Sequence, residues 1–137
     1  MTPLRPLSAV FWLDALLGIG FGLVSWLFPM DTYATIVDLG GIAEGRALTL
    51  STLASLSAFY VFIGLVCLCA GFMPRRQQGP LALVMLVRHG WIGSKGLHEA
   101  GREWLVGDPW PDIVIHAVFV IAYAAAVVVL ARSRHRV

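Results

Sequence analysis

Four long apolar runs set the plan of this chain, at about residues 6–28, 47–73, 80–99 and 113–131. A membrane-crossing helix needs about 20 mostly apolar residues, so each run predicts one span. The pattern predicts an all-α protein, a four-helix transmembrane bundle in which residues 1–137 form a single integral membrane domain. The second and fourth runs carry no acidic or basic residue other than His116. The other two are interrupted, the first by Asp14 and the third by Arg88, Lys95 and Glu99. A charge at bilayer depth costs about 2.5–3.5 kcal/mol even on the lenient insertion scale, which predicts a polar interior. The first run is too long for the core of a signal peptide and no small-residue cleavage site follows it, so a retained helix is expected.

The segments between the runs predict the topology. With four spans, Arg5, Arg75, Arg76, Arg132, Arg134 and Arg136 fall on one side, and Asp31, Asp38, Glu44, Glu103, Asp108 and Asp112 on the other. That is the positive-inside pattern of a bacterial-type plasma membrane protein with both termini in the cytoplasm. If the third run did not span, the C-terminal arginines would fall on the wrong side. The short connection around Arg75 and Arg76 predicts an antiparallel hairpin of helices two and three. The Gly107-Asp108-Pro109-Trp110-Pro111-Asp112 segment predicts a rigid turn with Asp112 capping helix four. Trp26, Trp104 and Trp110 suit the membrane interface.

Composition narrows the function classes. Hydrophobic residues make up 58% and charged residues 13% of the chain, roughly half the charged fraction of a soluble domain. The lipid bilayer is the expected surrounding, and a formal charge of +2 is too small to argue for nucleic acid. Cys67 and Cys69 lie inside an apolar run and read as buried small residues.

The third helix holds the candidate chemistry. At 100° per residue Arg88, Lys95, Glu99 and Arg102 fall along one line flanked by Trp91 and His98, and such a stripe is expected to face the interior. Gly90, Gly93 and Gly96 beside it, and Ser51, Ala54, Ser55 and Ala58 on helix two, would let neighbouring helices approach. Helices one and three run in the same direction, so Asp14 is about level with Arg88 and within reach of Lys95. His98, Glu99 and His116 come to a common level near the outer mouth, where Glu44 could dip in from the first loop. His116, Phe119, Val120 and Tyr123 share a face of helix four. The four interior charges sum to zero, so two ion pairs that only fix helix register are the plain alternative. No H-x-x-x-H or H-E-x-x-H spacing exists, and no metal is expected.

This set predicts a membrane-embedded acid–base enzyme. A low-dielectric pocket lets a carboxylic acid keep its proton and donate it, and aromatic faces can stabilise a developing carbocation. Glu99 is the first candidate acid and Asp14 the second, with His98 and His116 as proton relay and Arg88 and Lys95 setting the field. Trp91, Tyr60, Phe119, Tyr123 and Phe11 would line the pocket for a lipophilic small-molecule substrate, with Glu44 at its mouth. No cofactor is required. A small ion or proton transporter is the second expectation. Four helices enclose little room, so that reading calls for a homo-oligomer. A non-catalytic membrane subunit is the third.

Size, four spans and the Leu17-Gly18-Ile19-Gly20-Phe21-Gly22 segment resemble the DoxX-like group of small bacterial membrane proteins. Asp14, Glu99, His98, His116 and the mid-membrane aromatics are similar to what integral membrane terpene cyclases of meroterpenoid and xiamycin-type pathways use. That resemblance implies a cyclase or isomerase that protonates an isoprenoid epoxide or alkene through an intramembrane carboxylic acid.

Overall fold

The computed structural model describes residues 6–36, 46–102 and 107–134, all of them helix or short connection, with no strand among the described residues. Five helices follow in order: α1 (Pro6–Leu27), α2 (Pro29–Ala34), α3 (Arg46–Phe72), α4 (Arg75–Glu99) and α5 (Trp110–Arg134). Three stretches are long and apolar enough to cross a membrane, namely Pro6–Leu27, Thr49–Phe72 and Trp110–Arg132. This is a membrane protein. Helix α4 matches them in length but carries five charged residues, so composition alone does not make it a span.

The helix ends differ from the expected ones for local reasons. Helix α4 starts at Arg75, ahead of Pro80, which sits inside the helix. Its first turn is held down by the buried Gln78, whose Nε2 donates to Ser8 Oγ at 2.9 Å and to the Ala70 carbonyl at 3.0 Å. The helix stops where Ala100 turns extended and Gly101 takes φ +84°, a conformation that favours glycine. At the start of α5, Asp108 rather than Asp112 provides the cap. Its Oδ1 accepts from the Trp110 amide at 3.1 Å, and this leaves Asp112 inside the first turn.

Helix α1 packs chiefly on α3 and α4 on α5, while the two pairs join mainly along α1 and α5. The first seam is built on glycine. A Cβ on Gly22 would stand 2.8 Å from the Ser57 carbonyl oxygen, and one on Gly64 would stand 2.8 Å from the Ile19 nitrogen. Small residues four apart, Gly18 and Gly22, thus bring two backbones together as membrane helix pairs require. They also set the rotation of α3, whose buried positions include Leu53, Ser57, Gly64, Cys67 and Ala70. The expected small stripe is corrected accordingly: Ser51, Ser55 and Ala58 are exposed and Ala54 is half-buried. Cys67 is fully buried, whereas Cys69 is exposed.

The second seam is polar and aromatic. Helix α5 buries Ile113, His116, Phe119, Tyr123 and Ala126, one helical face, against Gln78, Ala82, Met85 and His89 of α4. Gly93 and Gly96 continue that α4 face, with their missing side chains opposite His116 and Ile113. The core of Leu7, Phe11, Ala15, Cys67, Met85, Phe119 and Tyr123 lies where the two pairs meet.

Candidate functional site

Asp14 is the centre. It lies on the α1 face that carries Phe11, Ala15 and Gly18, so the glycine seam seats it inside the bundle, where it is 4% exposed. The neighbouring helices all bring donors to one oxygen, Oδ2. The His89 Nε2 is 2.9 Å away, the Tyr123 hydroxyl donates at 2.9 Å, and the Cys67 thiol donates at 3.7 Å. The other oxygen, Oδ1, faces Arg88 Nη1 across 3.7 Å. The carboxylate is therefore oriented by three helices, with one oxygen held and the other turned toward a cation.

His89 links this carboxylate to a second histidine. Its Nδ1 is 2.7 Å from His116 Nδ1, so the two rings share a single proton along that line. With Nε2–H aimed at an ionised Asp14, that nitrogen has no lone pair for Arg88 Nη1 at 3.3 Å, and the guanidinium charge is met by Asp14. The ring stacks on Phe119 at 4.6 Å and 13° and lies 5.9 Å from Tyr123, which fixes its plane. His116 Nε2 stands 3.4 Å from Asp112 Oδ1. Side-chain exposure runs from 65% at Asp112 through 10% at His116 to 3% at His89 and 5% at Asp14, a row that leads inward from the surface. Among the described residues no three His, Cys, Asp or Glu side chains converge as metal ligands do, because this set forms a line.

The structure brings some of the expected residues together and separates others. Asp14, Arg88, His116, Phe119 and Tyr123 meet at the site, with Phe11 edge-on to Tyr123 at 5.3 Å. Lys95 does not meet Asp14; it pairs with Glu99 at 2.6 Å on the exposed side of α4. His98 is exposed and Trp91 is 74% exposed, so neither joins His116. Tyr60 is half-buried and sits edge-on to Phe21 at 4.9 Å, in the seam of α1 and α3. Glu44 lies outside the described residues.

One cause underlies these corrections. The inward face of α4 runs through Gln78, Ala82, Met85, His89, Gly93 and Gly96, about 100° round from the line of Arg88 and Lys95. Reading the phase from the charges turned the whole line of Arg88 and Lys95 inward and missed His89 beside Arg88. The small and apolar residues at helical spacing in line with His89 were the signal available. Charges on a helix end can reach water by their long stems, whereas a glycine at a close contact cannot be replaced.

The chain matches no family model, no curated protein and no solved structure.

Proposed function

We propose that this protein is a membrane-embedded acid–base protein that exchanges a proton with a lipophilic molecule, with Asp14 as the working group. The observation that carries this reading is the asymmetry of the Asp14 carboxylate, with Oδ2 held by His89, Tyr123 and Cys67 and Oδ1 left to the Arg88 side. A general acid needs one fixed oxygen and one presented to the reacting atom. Glu99 gives way to Asp14 as the acid because it is engaged by Lys95 away from the core. Four spans with both termini cytoplasmic fit this reading. Helix α4 lies along α5 and shares its depth, Arg75, Arg76 and Arg132 gather at one end, and Asp31, Asp108 and Asp112 gather at the other.

The substrate class is an isoprenoid epoxide or alkene. The Asp14 carboxylic acid gives its proton to the epoxide oxygen or alkene carbon, and Phe11, Phe119 and Tyr123 face the cation that results. Ring closure followed by loss of a proton to water gives a product of the same mass as the substrate and leaves Asp14 ionised, to be charged again. This reading takes the loosely joined α3 and α4 as the way in. The test is conversion of an epoxide-terminated prenylated substrate by membranes carrying the protein, followed by chromatography with mass detection. A new peak of unchanged mass, lost in Asp14→Asn and kept in Glu99→Gln, is the expected result. No conversion across several such substrates overturns the substrate class.

A second reading, a small proton transporter, draws on the histidine row that reaches the exposed Asp112. It predicts proton flux into liposomes without any substrate, abolished by Asp14→Asn.

A further inference from the structure

We infer that Asp112, His116 and His89 form a proton relay that recharges Asp14 from the Asp112 end of the bundle alone. The inference rests on Asp14 being the working acid–base group. Its geometric basis is the unbroken row of nitrogens and oxygens at 3.4, 2.7 and 2.9 Å from Asp112 to Asp14. The two inner steps are hydrogen bonds, and the outer contact gains a donor when Asp112 takes up a proton.

The proton balance runs as follows. In the resting row His89 Nε2–H donates to the Asp14 carboxylate, His116 Nδ1–H donates to His89 Nδ1, and the His116 Nε2 lone pair faces Asp112. A proton arriving at Asp112 passes to His116 Nε2, whose Nδ1 proton moves to His89 Nδ1. His89 then hands its Nε2 proton to Asp14 Oδ2. One proton enters at the surface and one arrives on the carboxylate, and a half-turn of the carboxyl group about Cβ–Cγ presents it on the Oδ1 side. Both histidines are left as the opposite tautomers, and ring reorientation or return of a proton resets them. Histidine suits this work because its two nitrogens exchange roles near neutral pH. The groups facing the row are Asp14 from α1, Tyr60 and Cys67 from α3, Arg88 from α4 and Tyr123 from α5. The Tyr123 hydroxyl and the Cys67 thiol are side branches that end at Asp14.

Among the described residues the opposite direction is apolar next to the site. Between Asp14 and the end bearing Arg75, the core is Leu7, Phe11, Ala70, Ala82, Met85 and Ala126, with the hydrogen-bonded pair Ser8 and Gln78 buried beyond Ala82. Met85 and Ala82 cover the first two turns of α4 beyond His89, about 10 Å of apolar wall. The cavity at that end has room for about one water, roughly 20 Å³, and its lining of Pro6, Leu7, Arg75, Gln78, Ala126, Val129 and Leu130 does not extend to Asp14. A row open at one end and bounded by apolar side chains at the other delivers protons to the middle of the membrane without passing them across.

The experiment uses the full chain in sealed liposomes of one insertion orientation, with a pH jump applied to one compartment at a time. The readout is the carboxyl C=O infrared band that disappears in Asp14→Asn. The band is expected to respond to a jump on the Asp112 side and not on the Arg75 side. Asp112→Asn should slow the response about tenfold, and His116→Ala by about a hundredfold. Free imidazole on the Asp112 side should then restore the His116→Ala rate, an effect that a purely structural histidine would not show. His116→Gln, which keeps a hydrogen-bonding side chain without relaying, should stay folded by circular dichroism and remain slow. A response of equal rate from both sides, from the Arg75 side alone, or from neither overturns the relay, and so does a wild-type rate in folded His116→Gln. A one-sided response without conversion of any substrate would instead leave the relay standing and remove the enzyme reading. Conversion that is indifferent to His116 would do the reverse.

Discussion

The two helix pairs solve the same problem, burial of one helix against another, by opposite means. In α1 and α3 the contact is made by what is absent: Gly18, Gly22 and Gly64 have no side chains, so the backbones touch. In α4 and α5 the contact is filled by His89, His116, Phe119 and Tyr123, whose polar atoms are joined to one another or to Asp14. The first pair is a frame with little chemistry of its own, apart from the single carboxylate it projects across the gap. The second carries the groups that use it. Lipid tails give helices no hydrophobic reason to associate, so close packing and hydrogen bonds must supply the attraction, and here each pair relies mainly on one of them.

The comparison breaks most severely at the one residue both pairs share. Asp14→Ala leaves Arg88 and His89 without their counter-group and should lower stability by about 3–5 kcal/mol, measured by reversible unfolding in mixed micelles. Asp14→Asn should keep most of the fold and lose the acid–base activity, which separates support from chemistry. Next come the glycines of the frame. Gly22→Ala and Gly64→Ala push a methyl group to within 3 Å of backbone atoms and should cost about 1–3 kcal/mol each, while leaving the histidine row in place. A smaller cost in Gly64→Ala than in Tyr123→Phe would remove the distinction drawn between the pairs. Tyr123→Phe takes one interhelical donor from Asp14 Oδ2 and should cost about 0.6–1.7 kcal/mol, the range of such bonds in membranes.

The smallest effects are expected on the outer face of α4. Gly90 has nothing within 4 Å of a built Cβ, so Gly90→Ala should stabilise the helix by about 0.5–1 kcal/mol. Lys95→Gln should change stability by less than about 0.5 kcal/mol, as exposed ion pairs do, and leave turnover unaltered. Loss of activity in Lys95→Gln would return the charged stripe to the site.

Much of this was legible in the chain itself. Apolar runs of sufficient length mark α1, α3 and α5 as helices able to cross a membrane, because backbone groups in lipid have to be satisfied within the segment. The cost of burying a charge singled out Asp14, Arg88, Lys95 and Glu99, of which only the first two meet, and the 3–4 spacing of His116, Phe119 and Tyr123 placed them on one face before any coordinates. What periodicity could not supply was the rotation of one helix against another. Arg88 and His89 are neighbours in sequence and 100° apart on α4, so choosing which of them faces Asp14 depends on the packing of Ala82, Met85, Gly93 and Gly96 against α5. The hydropathy of the chain alone therefore marked its three most apolar helices and left Asp14 as one of two candidate acids. Only the tertiary structure decided that His89 and His116 join that acid to the surface, because contact across helices is settled by shape at a seam and leaves no fixed spacing in the sequence.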